Sequence, residues 1–177
     1  LPYLAAKEIS ILGGMTARLF RISFSGEHAY ELAVPADYGN LVARSIMQAG
    51  EEFGITPYGI EALSIMRIEK GHVAGGELNG TTTAADLGLG KMMSSKKDYI
   101  GRMMAGLEGL TDKNRQCVVG IRPFDAADKI RSGSHILNRN DAPSMAADQG
   151  YISSVAWSAM LNVWLGLGLL SDGRERH

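Results

Sequence analysis

Apolar and polar residues alternate in two runs near the beginning of the sequence, at 16–24 and at 29–35. Both runs are rich in aromatic and aliphatic residues, and a period of two with this composition predicts β-strands. The stretch between them, Ser25-Gly26-Glu27-His28, is polar and contains glycine, which is typical of a turn. We therefore expect an antiparallel hairpin.

One charged residue, Glu31, stands inside the second predicted strand. Its neighbours Tyr30 and Leu32 fall on the opposite face, where we expect Tyr30 to be a core residue. Glutamate is depleted in strands, so Glu31 needs either contact with water or a partner. The pattern alone leaves both possibilities open.

Helical periodicity follows in two segments. Residues 37–54 predict a helix with Asp37 as N-cap and Gly54 as its end, and residues 60–70 predict a second helix that ends at Gly71. Arg67 lies on the second helix beside an apolar stripe, where the ordinary expectation is a surface arginine.

The rest of the pattern defines the fold class. Residues 73–95, rich in glycine and threonine, predict a loop with a short helix near 84–90, and a further short helix follows with Asp98 as its cap. After residue 109 the pattern changes to strand-like runs separated by polar turns. We predict an α+β fold, with an antiparallel sheet and packed helices over 1–110 and a smaller all-β, barrel-like domain over 111–177.

Composition narrows the function classes. The 177 residues are 45% apolar and 21% charged with a net charge of −1, which is typical of a globular protein and gives no reason to expect nucleic acid as a partner. The single cysteine, Cys117, excludes an internal disulfide and a cysteine-built metal site, and fits a cytoplasmic location. No apolar run approaches the roughly 20 residues of a membrane span. No metal site and no dinucleotide- or phosphate-binding glycine motif is predicted.

Three segments in a fixed order carry a resemblance to a known family. They are "RISFSGEHAYEL", then "GIEALSIMRIEKGH" with "GGELNGTTTAADLGLG", and then "DYIG" with "QGYISSVAWS" and "LGLGLL". This combination resembles the aminomethyltransferase (glycine-cleavage T-protein) family, and within it the branch of heterotetrameric sarcosine oxidase alpha subunits. The similarity covers residues 21–170.

The resemblance implies a function. A member of this branch binds tetrahydrofolate and transfers to it the one-carbon unit of oxidised sarcosine, giving 5,10-methylenetetrahydrofolate. FAD, FMN and NAD would belong to other domains or subunits of the parent oxidoreductase, and those subunits would be its partners. A glycine-cleavage aminomethyltransferase and a non-catalytic scaffold that has lost folate binding are the alternatives.

The resemblance also bears on the extent of the chain. The sequence begins without methionine and stops after a strand-like run, so we interpret it as a piece of a longer protein. Residues 1–110 would then be the C-terminal half of the folate-binding region, and 111–177 a truncated barrel-like domain. The family's catalytic aspartate would lie upstream of Leu1. We therefore assign no catalytic residue and expect the isolated chain to be inactive.

Three residues are folate-binding candidates by this resemblance. Glu31 matches the glutamate that binds the amino-pyrimidine edge of the pterin, and Phe24 replaces an aromatic residue that packs near the pterin. Arg67 matches a helical arginine near the folate. Relatives often read "SPTLG" where this chain has "SAMLNVW" at 158–164, so the role of that segment is left open.

Overall fold

The computed structural model describes residues 1–173 and 175–176. The chain forms two compact units, Leu1–Ser64 and Ile65–His177. The sheets are antiparallel and accompanied by helices, so the α+β class is confirmed. The proposed domain boundary near residue 110 stays a prediction.

The first unit contains a three-stranded antiparallel sheet of order β1-β2-β3. Its strands are β1 (Ala6–Ile11), β2 (Met15–Phe20) and β3 (Glu31–Ala33). The predicted hairpin of β2 and β3 is confirmed, with shorter strands than expected. The periodicity did not predict β1. Lys7 and Glu8 are poor strand formers, and β1 is an edge strand held by its pairing with β2.

A helix follows the sheet, but it starts later than predicted. The helix α1 (Gly39–Gly50) has Tyr38 as N-cap, without a side-chain capping hydrogen bond. Asp37 lies instead in the preceding 3₁₀ turn Ala36–Tyr38, so its prediction as N-cap is wrong. Gly54, with φ of 69°, ends the 3₁₀ turn that continues α1, which confirms the predicted stop.

The next helix, α2 (Ile60–Lys70), agrees with the prediction at both ends. Gly71 follows it with φ of 77°, the left-handed conformation that favours glycine at a helix end. Arg67 and Ile68 are its buried residues.

The second unit contains a four-stranded antiparallel sheet of order β4-β7-β6-β5. The strand-like pattern predicted after residue 109 is confirmed by four strands. Two short helices precede the sheet. The elements are α3 (Arg102–Ala105), α4 (Glu108–Thr111), β4 (Cys117–Ile121), β5 (His135–Ile136), β6 (Gly150–Ser158) and β7 (Val163–Leu170).

The loop prediction for 73–95 was largely right. Turns and the 3₁₀ turn Gly90–Met92 occupy this segment, and the short helix expected at 84–90 does not form. The carboxylate of Asp98 accepts a hydrogen bond from the N–H of Tyr99, ahead of α3, so Asp98 does not cap a helix.

This loop packs against the sheet and forms the core of the second unit. Val73 and Leu87 from the loop contact Leu169 of β7, with Leu89, Val118 and Tyr151 packed around them. Within the described ranges 1–173 and 175–176, no helix is both long and apolar enough to cross a membrane.

Candidate functional site

Glu31 lies on the exposed face of the first sheet. It begins β3, pairs with Phe20 of β2 and is exposed, whereas the adjacent pair Leu32 and Leu19 is partly buried. The predicted alternation is therefore confirmed within β3, between Glu31 and Leu32. Within the part of the chain that the structure describes, Glu31 forms no ion pair. Its carboxylate faces outward from a regular strand.

The expectation that Tyr30 is a core residue is wrong. Tyr30 precedes β3 and is 47% exposed. Its hydroxyl lies 3.0 Å from Nε2 of His28, and the centroids of the two rings are 5.3 Å apart. Because Tyr30 is outside the ladder, the alternation of the strand does not extend to it.

The same face carries a cation that the sequence did not single out. Arg18 of β2 pairs with Glu8 of β1 on one side and with Ala33 of β3 on the other. Because side chains two residues apart share a face of a sheet, Arg18 lies on the face of Glu31. The position of Arg18 opposite Ala33 depends on the register of β2 against β3, which the alternating pattern alone does not define.

A surface cavity of about 460 Å³ lies over this part of the sheet. Its lining includes Glu8, Arg18 and Ala33, together with Thr16, Ala17, Val34 and Pro35. Glu31 itself does not line this cavity, but Glu8 and Arg18, which do, give the sheet charges of both signs near β3.

Phe24 lies in the connection between β2 and β3. The two ends of that connection, Phe20 and Glu31, face each other across the ladder, and 37% of the surface of Phe24 is exposed. Part of its ring is accessible on the chain segment that leads to Glu31.

Arg67, the third candidate, belongs to the second unit and is only 9% exposed, so the interpretation as a surface arginine is wrong. Its Nη1 donates to Oε2 of Glu77 at 2.9 Å and to the carbonyl of His72 at 3.3 Å. Its Nη2 donates to Oγ of Ser154 at 2.8 Å. The guanidinium is held from three directions.

Glu77 has no exposed surface. Its Oε1 accepts hydrogen bonds from the hydroxyls of Ser153, at 2.5 Å, and Ser154, at 2.6 Å, and its Oε2 accepts one from the N–H of Ala74, at 2.8 Å. Burial opposes ionisation, but these hydrogen bonds and the charge of Arg67 outweigh it and hold the pKa of Glu77 below its ordinary value. Glu77 is an ionised carboxylate with its acceptors occupied.

A β-bulge brings both serines to the same carboxylate. Ile152 pairs with Gly168 and Ser154 pairs with Leu167, which leaves Ser153 as an extra residue in β6. Consecutive residues of a regular strand point to opposite faces, whereas a bulge redirects one of them. The two hydroxyls can therefore reach Oε1 of Glu77 together.

A second buried carboxylate stabilises the same loop. Asp86 is 2% exposed, and its Oδ2 lies 2.7 Å from Nη2 of Arg115. Asp86 and Thr83 form a reciprocal capping arrangement, since each side chain accepts a hydrogen bond from the N–H of the other residue. Burial again opposes ionisation, but the hydrogen bonds from Arg115 and Thr83 hold the pKa of Asp86 below its ordinary value.

Sequence reasoning missed Glu77 and Asp86, although one signal was present. They are the only charged residues between 73 and 90 in a stretch of small and apolar residues. Charges isolated in such a stretch point to specific partners, because a buried charge needs pairing. The partners themselves cannot be inferred from spacing.

We expect the protein to lose stability in acid through Glu77. Its pKa in the folded state lies below the ordinary 4.5 that it regains on unfolding. As the pH falls, the unfolded chain therefore takes up the proton first. The contribution of Glu77 to the free energy of unfolding is complete above pH 4.5 and is lost as the pH falls through the folded-state pKa. In urea denaturation over a pH series, the free energy of unfolding should fall less steeply towards acid pH in Glu77→Gln than in wild type. Glu27→Gln, at an exposed position, is the control. Equal slopes in all three proteins would contradict the assignment.

Comparison with known proteins places the chain in a family. Residues 1–97 match the GCVT N-terminal domain. The chain belongs to this family.

Within the described residues, no group of three histidine, cysteine, aspartate or glutamate side chains comes together as a metal site.

Relatives with known names extend the comparison. The chain is 51% identical, over 99% of its length, to a sarcosine oxidase subunit alpha of Rhizobium meliloti (strain 1021), of which it covers 18%. It is 28% identical over 92% of its length to an aminomethyltransferase of Francisella philomiragia, of which it covers 45%. It therefore spans about a fifth of the first relative and less than half of the second.

A solved structure shows the same fold. The glycine cleavage system aminomethyltransferase T of Bartonella henselae superposes with a TM-score of 0.69 over 88% of this chain and 42% of that one. The identity is 19%, so this likeness concerns the fold alone.

Proposed function

We propose that the chain is the folate-binding portion of a sarcosine oxidase alpha subunit. In this role it accepts the one-carbon unit of oxidised sarcosine onto tetrahydrofolate and gives 5,10-methylenetetrahydrofolate. The observation that supports this most is the 51% identity to such a subunit over 99% of the chain, within the GCVT family. The 28% identity to an aminomethyltransferase supports the glycine-cleavage alternative less.

Glu31 is the proposed pterin contact. A carboxylate offers two acceptor oxygens, which match the paired N–H donors of a 2-aminopyrimidinone ring. Glu31 starts a strand, which holds a side chain more rigidly than a loop does, and it is exposed. Phe24 is proposed to stack on the pterin through the exposed part of its ring.

Arg67 is the proposed donor to an oxygen of folate, either a carboxylate oxygen or a pterin oxygen. A guanidinium suits this role because it carries five N–H donors in a planar fork. Three hydrogen bonds hold it in the structure, and 11% of its side chain remains accessible.

The remaining parts of the reaction are assigned outside this chain. FAD, FMN and NAD, together with the oxidation of sarcosine, would belong to other domains or subunits of a cytoplasmic parent complex. The residues described above would bind and orient folate, and the chain by itself would show no turnover.

A product assay on the full-length gene product with its partner subunits tests the proposal. Sarcosine in aerated buffer should give 5,10-methylenetetrahydrofolate when tetrahydrofolate is present, and free formaldehyde in the same amount when it is omitted. Formaldehyde release that tetrahydrofolate does not change would contradict the proposal. Product formation from an aminomethyl-lipoyl donor, without sarcosine oxidation, would favour the glycine-cleavage alternative.

A further inference from the structure

The hydrogen bonds between Arg67 and Glu77 close a ring. Nη1 of Arg67 donates directly to Oε2 of Glu77, and Nη2 donates to Ser154, whose hydroxyl donates to Oε1 of the same carboxylate. A planar fork that is bound at both terminal nitrogens cannot rotate about its axis without breaking one of these bonds. The ring therefore fixes the plane of the guanidinium.

Stability alone does not explain such an arrangement. The free energy needed to remove two charges from water often exceeds what their attraction returns. Apolar residues of similar volume are often at least as stabilising as a buried ion pair. Here the carboxylate is fully buried, and an extra residue in β6 supplies one of its hydroxyl partners. Bulges often redirect side chains next to functional sites.

We propose that Glu77 is a positioning residue that holds the guanidinium of Arg67 in the orientation from which Arg67 donates to an oxygen of folate. This rests on the proposed function, since it takes folate as the ligand. Glu77 has no exposed surface, so it does not contact the ligand itself and its effect on folate binding passes through Arg67. Ser154, as the bridge of the ring, shares this role.

The second buried pair of the same loop is a matched control. Arg115 bonds Asp86 through Nε and Nη2, and also donates to the carbonyl of Thr81 at 2.7 Å. Both partners of this pair therefore hold loop backbone, since Asp86 accepts from the N–H of Thr83. The two pairs resemble each other in charge, carboxylate burial and loop, but only Arg67 is a proposed ligand donor.

The test is a set of calorimetric titrations of the full-length gene product with folinic acid, at a temperature where circular dichroism shows each variant to be folded. Glu77→Gln should raise the Kd about tenfold, since the orientation of a charge-assisted donor is lost. Asp86→Asn should leave the Kd within about twofold, although it lowers the Tm to a similar extent. In an Arg67→Lys background, Glu77→Gln should add less than about twofold, because residues that act through each other are not additive.

Several outcomes would overturn the inference. A Kd that Glu77→Gln leaves unchanged would do so, and so would equal losses in Glu77→Gln and Asp86→Asn. An undiminished effect of Glu77→Gln in the Arg67→Lys background would show that Glu77 does not act through Arg67. Absence of folinic acid binding by wild type would overturn the proposed function as well, so the two failures are distinguishable.

Two additions sharpen the result. Ser154→Ala keeps the buried charges and removes only the bridge, so it tests the ring if Glu77→Gln does not fold, with an expected rise in Kd of about threefold. A second ligand, 5-formyltetrahydropteroate, lacks the glutamate carboxylates. An effect of Glu77→Gln that disappears with this ligand assigns Arg67 to a glutamate carboxylate oxygen, and one that persists assigns it to an oxygen of the pteroate part.

Discussion

Replacing Glu77 by alanine is expected to lower the free energy of unfolding by about 3–5 kcal/mol, because it leaves a buried charge without its partner. The variant strands the guanidinium of Arg67, which is 9% exposed. It also removes the acceptor of the hydroxyls of Ser153 and Ser154. Urea denaturation at pH 7, followed by circular dichroism, measures the change.

The control for this prediction is Glu27→Ala. Glu27 is exposed in the connection between β2 and β3, and its replacement should change stability by no more than about 0.5 kcal/mol. A loss of unfolding free energy below about 1 kcal/mol for Glu77→Ala would mean that Arg67 finds other partners and that water reaches the site of the Glu77 carboxylate.

Replacing Glu31 by alanine is expected to weaken folinic acid binding about 100-fold, since two charge-assisted hydrogen bonds each contribute about 1.5–3 kcal/mol and a factor of ten corresponds to about 1.4 kcal/mol. Water can replace part of the lost interaction, so we place the effect near the lower end of this range. Glu31 is exposed and makes no ion pair within the described ranges. The Tm of the variant should therefore stay close to that of wild type.

The local elements of this protein were predictable because their signals are local. The period of two identified β2 and β3, and strand-like runs between polar turns indicated the strands after residue 109. Glycine at 54 and 71 marked two helix ends that need a left-handed backbone. The strand β1 was missed because Lys7 and Glu8 weaken its pattern, and only its pairing with β2 defines it.

The long-range contacts of the candidate site were not predictable from spacing. The helical pattern located Arg67 correctly on α2, but its burial depends on Glu77 and Ser154, which lie 10 and 87 residues further along the chain. The bulge that places Ser153 beside Ser154 depends on the register of β6 against β7. Such register is a property of the assembled sheet, and one sequence does not determine it by period alone.

The most direct test of the central claim is a calorimetric titration of the full-length gene product with folinic acid, comparing wild type with Glu31→Ala and Glu27→Ala. Both variants remove one exposed carboxylate from the β2–β3 region, so they change the net charge equally. We predict that wild type and Glu27→Ala bind with the same Kd, and that Glu31→Ala binds about 100-fold more weakly. Equal affinity in all three proteins would contradict the assignment of the pterin to Glu31, and no binding by wild type would contradict folate as the ligand.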